Sequence, residues 1–535
     1  MKKEKEIKEK FKILNVIITL IVGGCIYFFL LPPLNLSSPA FWGFIIAILV
    51  VYALLEFVGK INSQGKVVGN IKLPSRIVIA IILIVIGILG LNFVLSPLFN
   101  SSSYAKRIDI DEDGDFYADI PLVNFKALPL LDKDSSRKLG DRVMGQMSEL
   151  VSQFVVSDLY TQINYNDEIV RVTPLEYQDF IKYLTNRKNG VAGYILVDSV
   201  DGNAKLVKLD KGMKYMPSAF LFENLDRKLR FAYPTTIFGK MTFEIDNEGK
   251  PYWVVPTIKY EGIGLKKEVT GIIIFDPTNG KSKQYKTGKI PAWVDHVYDA
   301  ELIIEQINNW GLYKGGYWNS LFGQKNVVAT TEGYNYTIMN DDVYMYTGIT
   351  SVVSDESNIG FVLCNLRTKE TNYYKMPGAE EYSAMASAEG QVQQMRYTST
   401  FPLLINLNNK ATYLVSLKDA AGLVKMYGFI DVMNYQKVVV TDSAKGIEAA
   451  AEAYLGGVMI DVDESKLITK TITISTIANA TISGNTYYYI TDSEGKKYSV
   501  SISVDKKRLP FIVKGTKLEI SYEKEQDVTD IIKIK

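Results

Sequence analysis

Three long apolar runs crowd into the first hundred or so residues, at 13–31, 41–58 and 77–98, and they constrain everything that follows. Each is long enough to cross about 30 Å of hydrocarbon, which takes roughly 20 residues at helical rise. None carries a central charge; Glu56 lies near an end, where reaching the interface is cheap. Lipid offers a backbone no hydrogen bonds, so the runs are predicted to be helices. Residues 1–12 hold six lysines, residues 32–40 hold no charge, and the segment between the second and third runs holds Lys60, Lys66, Lys72 and Arg76. Basic flanks stay in the cytoplasm. The N-terminus is therefore expected inside, with everything after about residue 99 outside the cytoplasmic membrane.

Residues 20–25, ending at Cys25, resemble a lipoprotein signal box, and cleavage there would leave a diacylated cysteine. The apolar run continues through Leu31 instead of giving way to a polar tether, so an ordinary cysteine within a span is the preferred reading; lipidation stays open. The runs lack paired charges and broken-helix signatures, which argues against a transporter.

At 535 residues the chain is too long for one core, and several domains are expected. Sixty Lys and Arg against 59 Asp and Glu give a net charge of +1, so no whole-protein field draws nucleic acid, and none is expected as a partner. Two cysteines, Cys25 and Cys364, exclude a disulfide framework and a cysteine zinc site. His296 is the one histidine, which excludes a His-rich metal site.

Beyond the apolar runs the chain repeats itself. Residues 193–207, 271–285 and 360–374 align without gaps, and 413–427 is a weaker fourth copy with Gly422 in the turn. Each of the first three begins with Gly193, Gly271 or Gly360 and four apolar residues, then reaches Asp198, Asp276 or Asn365. Four apolar residues in a row suit a strand buried on both faces. The Asp or Asn opens a turn through its side-chain oxygen, and Gly202 and Gly280 suit a position with positive φ; Lys369 fits that position less well. Pro217, Pro291 and Pro377 follow, each after an apolar residue, and helices are predicted at 218–231, 293–310 and 380–395, with another at 174–184.

A helix followed by strands that end in a hairpin, with Asp276, Pro277, Thr278, Asn279, Gly280 and Lys281 in the turn, resembles the PepSY domain, a small α+β module of the bacterial envelope. Asn279 interrupts the Thr-Gly pair of that family's turn. The resemblance covers residues 165–440 as three or four diverged copies. It implies roles in restraining or assisting envelope peptidases, or in sensing, and it assigns no catalytic residue.

Asp109, Asp111, Asp113 and Asp115 alternate, with Gly114 at the sixth place, as in a calcium loop. Position twelve is Ile120 rather than an acid and no helix precedes the run, so a solvated acidic turn is the competing reading. Residues 138–154 read as an amphipathic helix. His296 beside Asp295 has the makings of a general base, yet no nucleophile signature accompanies it; Cys364 falls on a buried strand, and both are read as inert. Ser135 and Lys138 form an S-x-x-K string without its partner motifs.

After an Ala-rich helix at 444–455, alternating segments at 468–475, 486–491, 497–503, 517–522 and 529–534 predict a small five-stranded barrel of OB type. Tyr487, Tyr489, Lys497 and Arg508 are its candidate ligand-binding residues; the alternative is that aromatics fill the barrel and lysines guard its edges.

The expected fold class is α+β: a three-helix anchor (1–99), a linker with an amphipathic helix (100–164), PepSY-like units (165–290 and 291–440), a connecting helix (441–466) and an OB-like barrel (467–535). The expected function is a membrane-anchored, extracytoplasmic binding or scaffold protein, more a binder than an enzyme. Its expected partners are the lipid bilayer and an envelope protein or cell-wall polymer. Regulation of an envelope peptidase, or a wall-active enzyme without a recognisable motif, are the alternatives. No cofactor is expected beyond that calcium.

Overall fold

The computed structural model describes residues 2–59, 72–352, 354–456, 467–482, 485–522 and 527–534. Lys60 and Lys66, and the turn residues Ser483 and Gly484, lie outside the described residues. The architecture mixes helix and sheet: three apolar N-terminal helices, then a β-rich body. Within these helices the stretches Lys10–Leu30, Pro39–Val58 and Lys72–Val94, with mean hydropathies of 2.5, 2.4 and 3.1, are long and apolar enough to cross a membrane. Cys25 is exposed on the first of them.

Glu56 behaves differently from expectation. It is buried between the helices instead of reaching outward, and its Oε1 accepts a 2.9 Å hydrogen bond from Asn15 Nδ2 on the first helix. Thr19 continues the polar seam by donating to the Asn15 carbonyl at 2.7 Å. A polar side chain within an apolar bundle is stabilised by a partner on the next helix, which outweighs reaching for the interface two residues away.

The chain divides into two units, Met1–Glu112 with Ser136–Asp355 and Phe361–Tyr373, and Asp113–Ser135 with Glu356–Gly360 and Tyr374–Lys535. In the first unit the body grips the ends of all three helices. Arg227 Nε donates to the Phe28 carbonyl (3.1 Å) and Arg230 Nε to the Leu31 carbonyl (2.9 Å), supplying donors to carbonyls that a helix C-terminus leaves unpaired. Asn92, near the end of the third helix, exchanges two hydrogen bonds with the backbone of Ile263 (2.9 and 3.1 Å), and Gly264 N donates to Ser37 O at 3.0 Å. Gly264 has φ +75 and lies so close to Pro39 that an added Cβ would sit 2.5 Å from its ring.

Four antiparallel sheets share one plan. Two short strands pair end to end with one long strand, which pairs with a fourth, which forms a hairpin with a fifth. The long strands are Glu168–Tyr177, Pro251–Tyr260, Asp342–Ser351 and Ala411–Lys418. The turn into the fifth strand is closed each time by a carboxylate or amide oxygen: Asp198 accepts from Val200 N, Asp276 from Thr278 N, Asn365 from Arg367 N and Asp431 from Met433 N, at 2.7 to 3.0 Å. The fourth copy of this hairpin is therefore centred on Asp431. The segment 413–427 instead covers the third and fourth strands of its sheet, and Gly422 turns between those. The Asp431 turn contains no glycine, which hid it from the alignment.

The first two of the three helices begin seven residues later than the prolines suggested, and the third begins within one residue of its expected start. They span Leu225–Ala232, Ala300–Tyr313 and Glu381–Gln391, and Asn224 caps the first by accepting from Arg227 N at 3.1 Å. Pro174 lies inside a long strand, and the helix after it is Phe180–Asn186, capped by Asp179. The amphipathic stretch breaks into Lys133–Gly145 and Ser148–Val151 before the Phe154–Val156 strand.

The last sheet has its own topology. Ile468–Ile482 is long enough to pair with Asn485–Asp492 along its second half and with Lys517–Tyr522 along its first. Lys497–Ser501 pairs with Asn485–Asp492 and, in parallel, with Val528–Asp530; Lys533–Ile534 pairs with Lys517–Tyr522. The two ends of the strand order are thus consecutive pieces of the C-terminal segment. Ile472, Ile490, Tyr498, Val500, Leu509 and Ile520 are among the side chains that fill its core.

Candidate functional site

The second sheet carries an open hollow of about 300 Å³ whose walls come from three stretches of chain. Its rim is the Asp276 hairpin. Asp276 Oδ1 accepts from Thr278 N (2.8 Å) and Thr278 Oγ1 (2.6 Å), and Oδ2 accepts from Asn279 Nδ2 (2.5 Å). Gly280 takes φ +74, and a Cβ there would meet the Tyr215 ring at 2.6 Å, so both conformation and space require glycine. This stiff turn launches Ser282–Lys286, which pairs with Lys267–Phe275 so that Lys283 lies opposite Ile274 and Tyr285 opposite Ile272.

Alternation puts Tyr252, Ile274, Lys283 and Tyr285 on one face, while Trp253 and Phe275 point into the core on the other. Trp293, just beyond Pro291, comes down beside Tyr252 with ring centroids 5.1 Å apart at 35°. Lys283 Nζ stands 4.8 Å from the centre of the Tyr285 ring. Burial, and secondarily Asp246, push the Tyr252 phenol up to about 12, so it remains a hydroxyl donor at neutral pH. Aromatic faces, ammonium groups from Lys281 and Lys283, and a rim carboxylate together suit a ligand with apolar ring faces and anionic or hydroxyl substituents. The sequence offered a partial signal here: the hairpin was visible, but the pairing of Tyr252 with Trp293 was not.

His296 and Asp295 lie in a different, enclosed part of the first unit. Asp295 N donates to Glu244 Oε2 (2.9 Å), Asp295 Oδ2 accepts from Asn164 N (2.8 Å), and Thr242 Oγ1 donates to Glu244 Oε1 (2.6 Å). Burial pushes Glu244 up to about 7; it also raises Asp295 well above the carboxylate range, with Glu244 adding to the effect. His296 Nε2 lies 2.6 Å from the Gln162 carbonyl, which makes that nitrogen the protonated one, and desolvation lowers the imidazole to about 4. Asp295 and His296 thus turn to alternate residues of one strand rather than to each other. The arrangement ties Thr161–Tyr165 to the second sheet and presents no base to a substrate. Cys364 is likewise withdrawn: it is buried, receives Thr371 Oγ1 at 3.2 Å, and burial pushes its thiol up to about 12.

Of the acidic run, Asp109 and Asp111 belong to the first unit and Asp113 and Asp115 to the second. Asp111 uses its backbone to bridge Asn372, and Asp115 Oδ1 caps the Phe116–Asp119 turn by accepting from Tyr117 N at 3.0 Å. Among the described residues no group of three or more His, Cys, Asp or Glu is placed to hold a metal ion. Ser135 Oγ donates to the Gly422 carbonyl at 3.1 Å, which commits it to packing.

In the C-terminal sheet Tyr487 and Tyr489 share a face, while Tyr488 enters the core. Tyr487 lines a cleft of about 180 Å³ with Glu452, Ser499, Ser501 and Asp530. Lys497 is exposed on the neighbouring strand outside that cleft. Arg508 is held by Asp505 at 2.5 Å and donates to the Ile534 carbonyl at 3.1 Å. The four candidates therefore do not converge, and the cleft that Tyr487 does line is acidic.

No family model matches the chain, and no curated protein matches it. Among solved structures, the crystal structure of the Pseudomonas aeruginosa PilY1 C-terminal domain is similar at 13% identity over 69% of this chain and 67% of that one, with a TM-score of 0.12.

Proposed function

We propose that this chain is a membrane-anchored binding protein of the bacterial cell envelope, and that its exported body holds a cell-wall polymer in the hollow of the second sheet. The observation that carries the reading is the Tyr252–Trp293 pair flanked by Lys281 and Lys283. Sugar rings lay their C–H faces on aromatic side chains, and lysines attract the acidic groups of wall polymers. Sidedness follows from charge: Lys10, Lys12, Lys72 and Arg76 lie at one end of the spans, while the body is tied to the other end through Arg227, Arg230 and Ile263. The recurring side-chain-closed hairpin supports the PepSY-like reading of the modules. The parallel pairing of Lys497–Ser501 with Val528–Asp530, and the long first strand shared between two partners, support an OB-type barrel at the C-terminus.

The test is co-sedimentation of the full-length protein, in nanodiscs, with isolated wall sacculi. Wild type should pellet, and Trp293→Ala with Tyr252→Ala should weaken binding by an order of magnitude or so, since each stacked aromatic contributes about 1 kcal/mol. Equal binding by the double variant, or none by wild type, would remove the proposal. Stripping the anionic polymer from the sacculi tests the lysines in the same way.

A further inference from the structure

Large apolar side chains stay exposed beyond the ends of the three helices, on the parts of the first unit that touch them. Phe222 is 64% exposed, yet its ring packs edge-on against Phe28 of the first helix with centroids 5.8 Å apart. Phe231 is also exposed and stacks on Tyr27 of the same helix at 6.2 Å. Arg227 and Arg230, bonded to the last carbonyls of that helix, hold this aromatic corner in place.

A second patch grows from the third helix. Pro97–Ala105 follows it after two residues, and exposed Phe99 packs against exposed Phe93 at 5.3 Å. Pro97–Ala105 lies along Ala300–Tyr313, where Tyr104 meets Tyr313 at 6.2 Å. Past that helix the chain makes the wide turn Asn319–Gly323, closed by Asn319 Nδ2 donating to the Lys325 carbonyl at 3.0 Å. The turn displays Trp318 (62% exposed) and Phe322 (77% exposed), stacked on each other at 5.9 Å, with Leu321 beside them. Lys314 and Lys325 flank the patch.

Exposed clusters of this size need a cover. Tryptophan and phenylalanine with neighbouring lysines match the headgroup–acyl boundary, where the ring is buried and the ammonium meets phosphate. The first patch packs on a helix long and apolar enough to span; the second joins the third helix through Tyr104, whose hydroxyl donates to the Leu95 carbonyl at 3.2 Å, and the ring series Tyr104, Tyr313, Tyr317 and Trp318. We propose that the loops at 220–222 and 317–322 are interfacial anchors that enter the bilayer leaflet through which the spans emerge. The first unit then rests on the membrane surface instead of standing away from it on a tether. This inference rests on reading the three helices as membrane spans.

The test is nitroxide depth measurement on the full chain in vesicles of phosphatidylcholine and phosphatidylglycerol. Labels go on Phe222→Cys and Phe322→Cys in a Cys25→Ser background; Cys364 is buried. Leu54→Cys, on the second span, is the immersed reference, and Asp201→Cys, at an exposed turn of the first sheet, is the aqueous one. Labels at 222 and 322 should collide with oxygen severalfold more, relative to a water-soluble nickel chelate, than the label at 201. If position 54 is oxygen-rich while 222 and 322 behave like 201, the anchors are refuted and the spans stand. If position 54 itself favours nickel, the membrane reading fails and takes this inference with it.

Discussion

Glu56 in the helical anchor, and Glu244 and Asp295 in the body, are acidic groups taken out of water and handled by opposite means. In the anchor the backbone groups of a helix interior are already satisfied within their own helix, so Glu56 turns to a side chain, the Asn15 amide. In the body, Glu244 and Asp295 bond to backbone N–H groups of neighbouring segments, and they join the first sheet to the second. A helix bundle in lipid is held by packing and scattered polar contacts. The sheets are held by water-driven burial plus directional bonds between distant stretches of chain.

The largest predicted difference tests burial itself. Trp253 is fully enclosed, with Phe243 at 5.3 Å, so Trp253→Ala should cost about 3–5 kcal/mol in thermal or denaturant unfolding. Leu83→Ala, at an exposed site on the third helix, should be nearly neutral to the body's unfolding. A comparable loss at both sites would break the distinction.

The next effect is one of pH. Glu244 holds its proton up to about 7 in the folded state, whereas the unfolded side chain releases it near 4.5. The folded state binds more protons in that window, so its contribution to stability is full below about 4.5 and is lost as pH rises through about 7. His296, lowered to about 4 from 6.5, acts oppositely, and its contribution grows as pH rises through that interval. Glu244→Gln removes the first slope and leaves the second, so between about pH 5 and pH 7 the variant should gain stability relative to wild type, by up to about 1.4 kcal/mol per pH unit. Parallel pH profiles for the two proteins would show that the pair does not titrate as its burial requires.

A smaller effect is expected in the bundle. Asn15→Leu leaves Glu56 without its amide partner and should destabilise the helices by roughly 1 kcal/mol more than the double change Asn15→Leu with Glu56→Leu. Equal costs in a double-mutant cycle would make the hydrogen bond incidental.

The smallest effect concerns Lys369, which takes φ +69 where two sister hairpins use glycine. Its ammonium bonds the Arg107 carbonyl at 2.7 Å and Glu268 at 3.3 Å, which offsets a backbone cost of about 1 kcal/mol. Lys369→Gly should therefore change stability little, while Lys369→Ala, which loses the contacts and keeps the strain, should be worse by about 1 kcal/mol. Equal melting temperatures for the two variants would show that the ammonium contacts and the strain are not in balance.

Much of this was legible from residues close in sequence. The Asp198, Asp276 and Asn365 turns stood out because a side chain closes onto its own neighbours. The dipeptides at Asn166, Asn340 and Asn408 carry a second repeat: each starts a two-residue turn with consecutive positive φ values. The helix starts after Pro217 and Pro291, and at Pro174, are expected too early because a proline permits a helix without requiring one, and the caps Asn224 and Asp179 mark the onset better; the start at Glu381 agrees with expectation. The hollow was only half visible, since Tyr252 and Trp293 are 41 residues apart and meet where the turn after Pro291 passes over the second sheet.

By itself, the sequence determined the three apolar helices, the rhythm of the hairpins and the near absence of reactive histidine and cysteine. These follow from hydrophobic run length, local turn chemistry and composition. Only the tertiary structure decided that Glu56 turns inward, that Asp295 and His296 bond a neighbouring strand, and that Tyr252 and Trp293 share one wall. Those outcomes depend on which distant groups compete for the same donor or the same surface, and a linear pattern does not encode that competition.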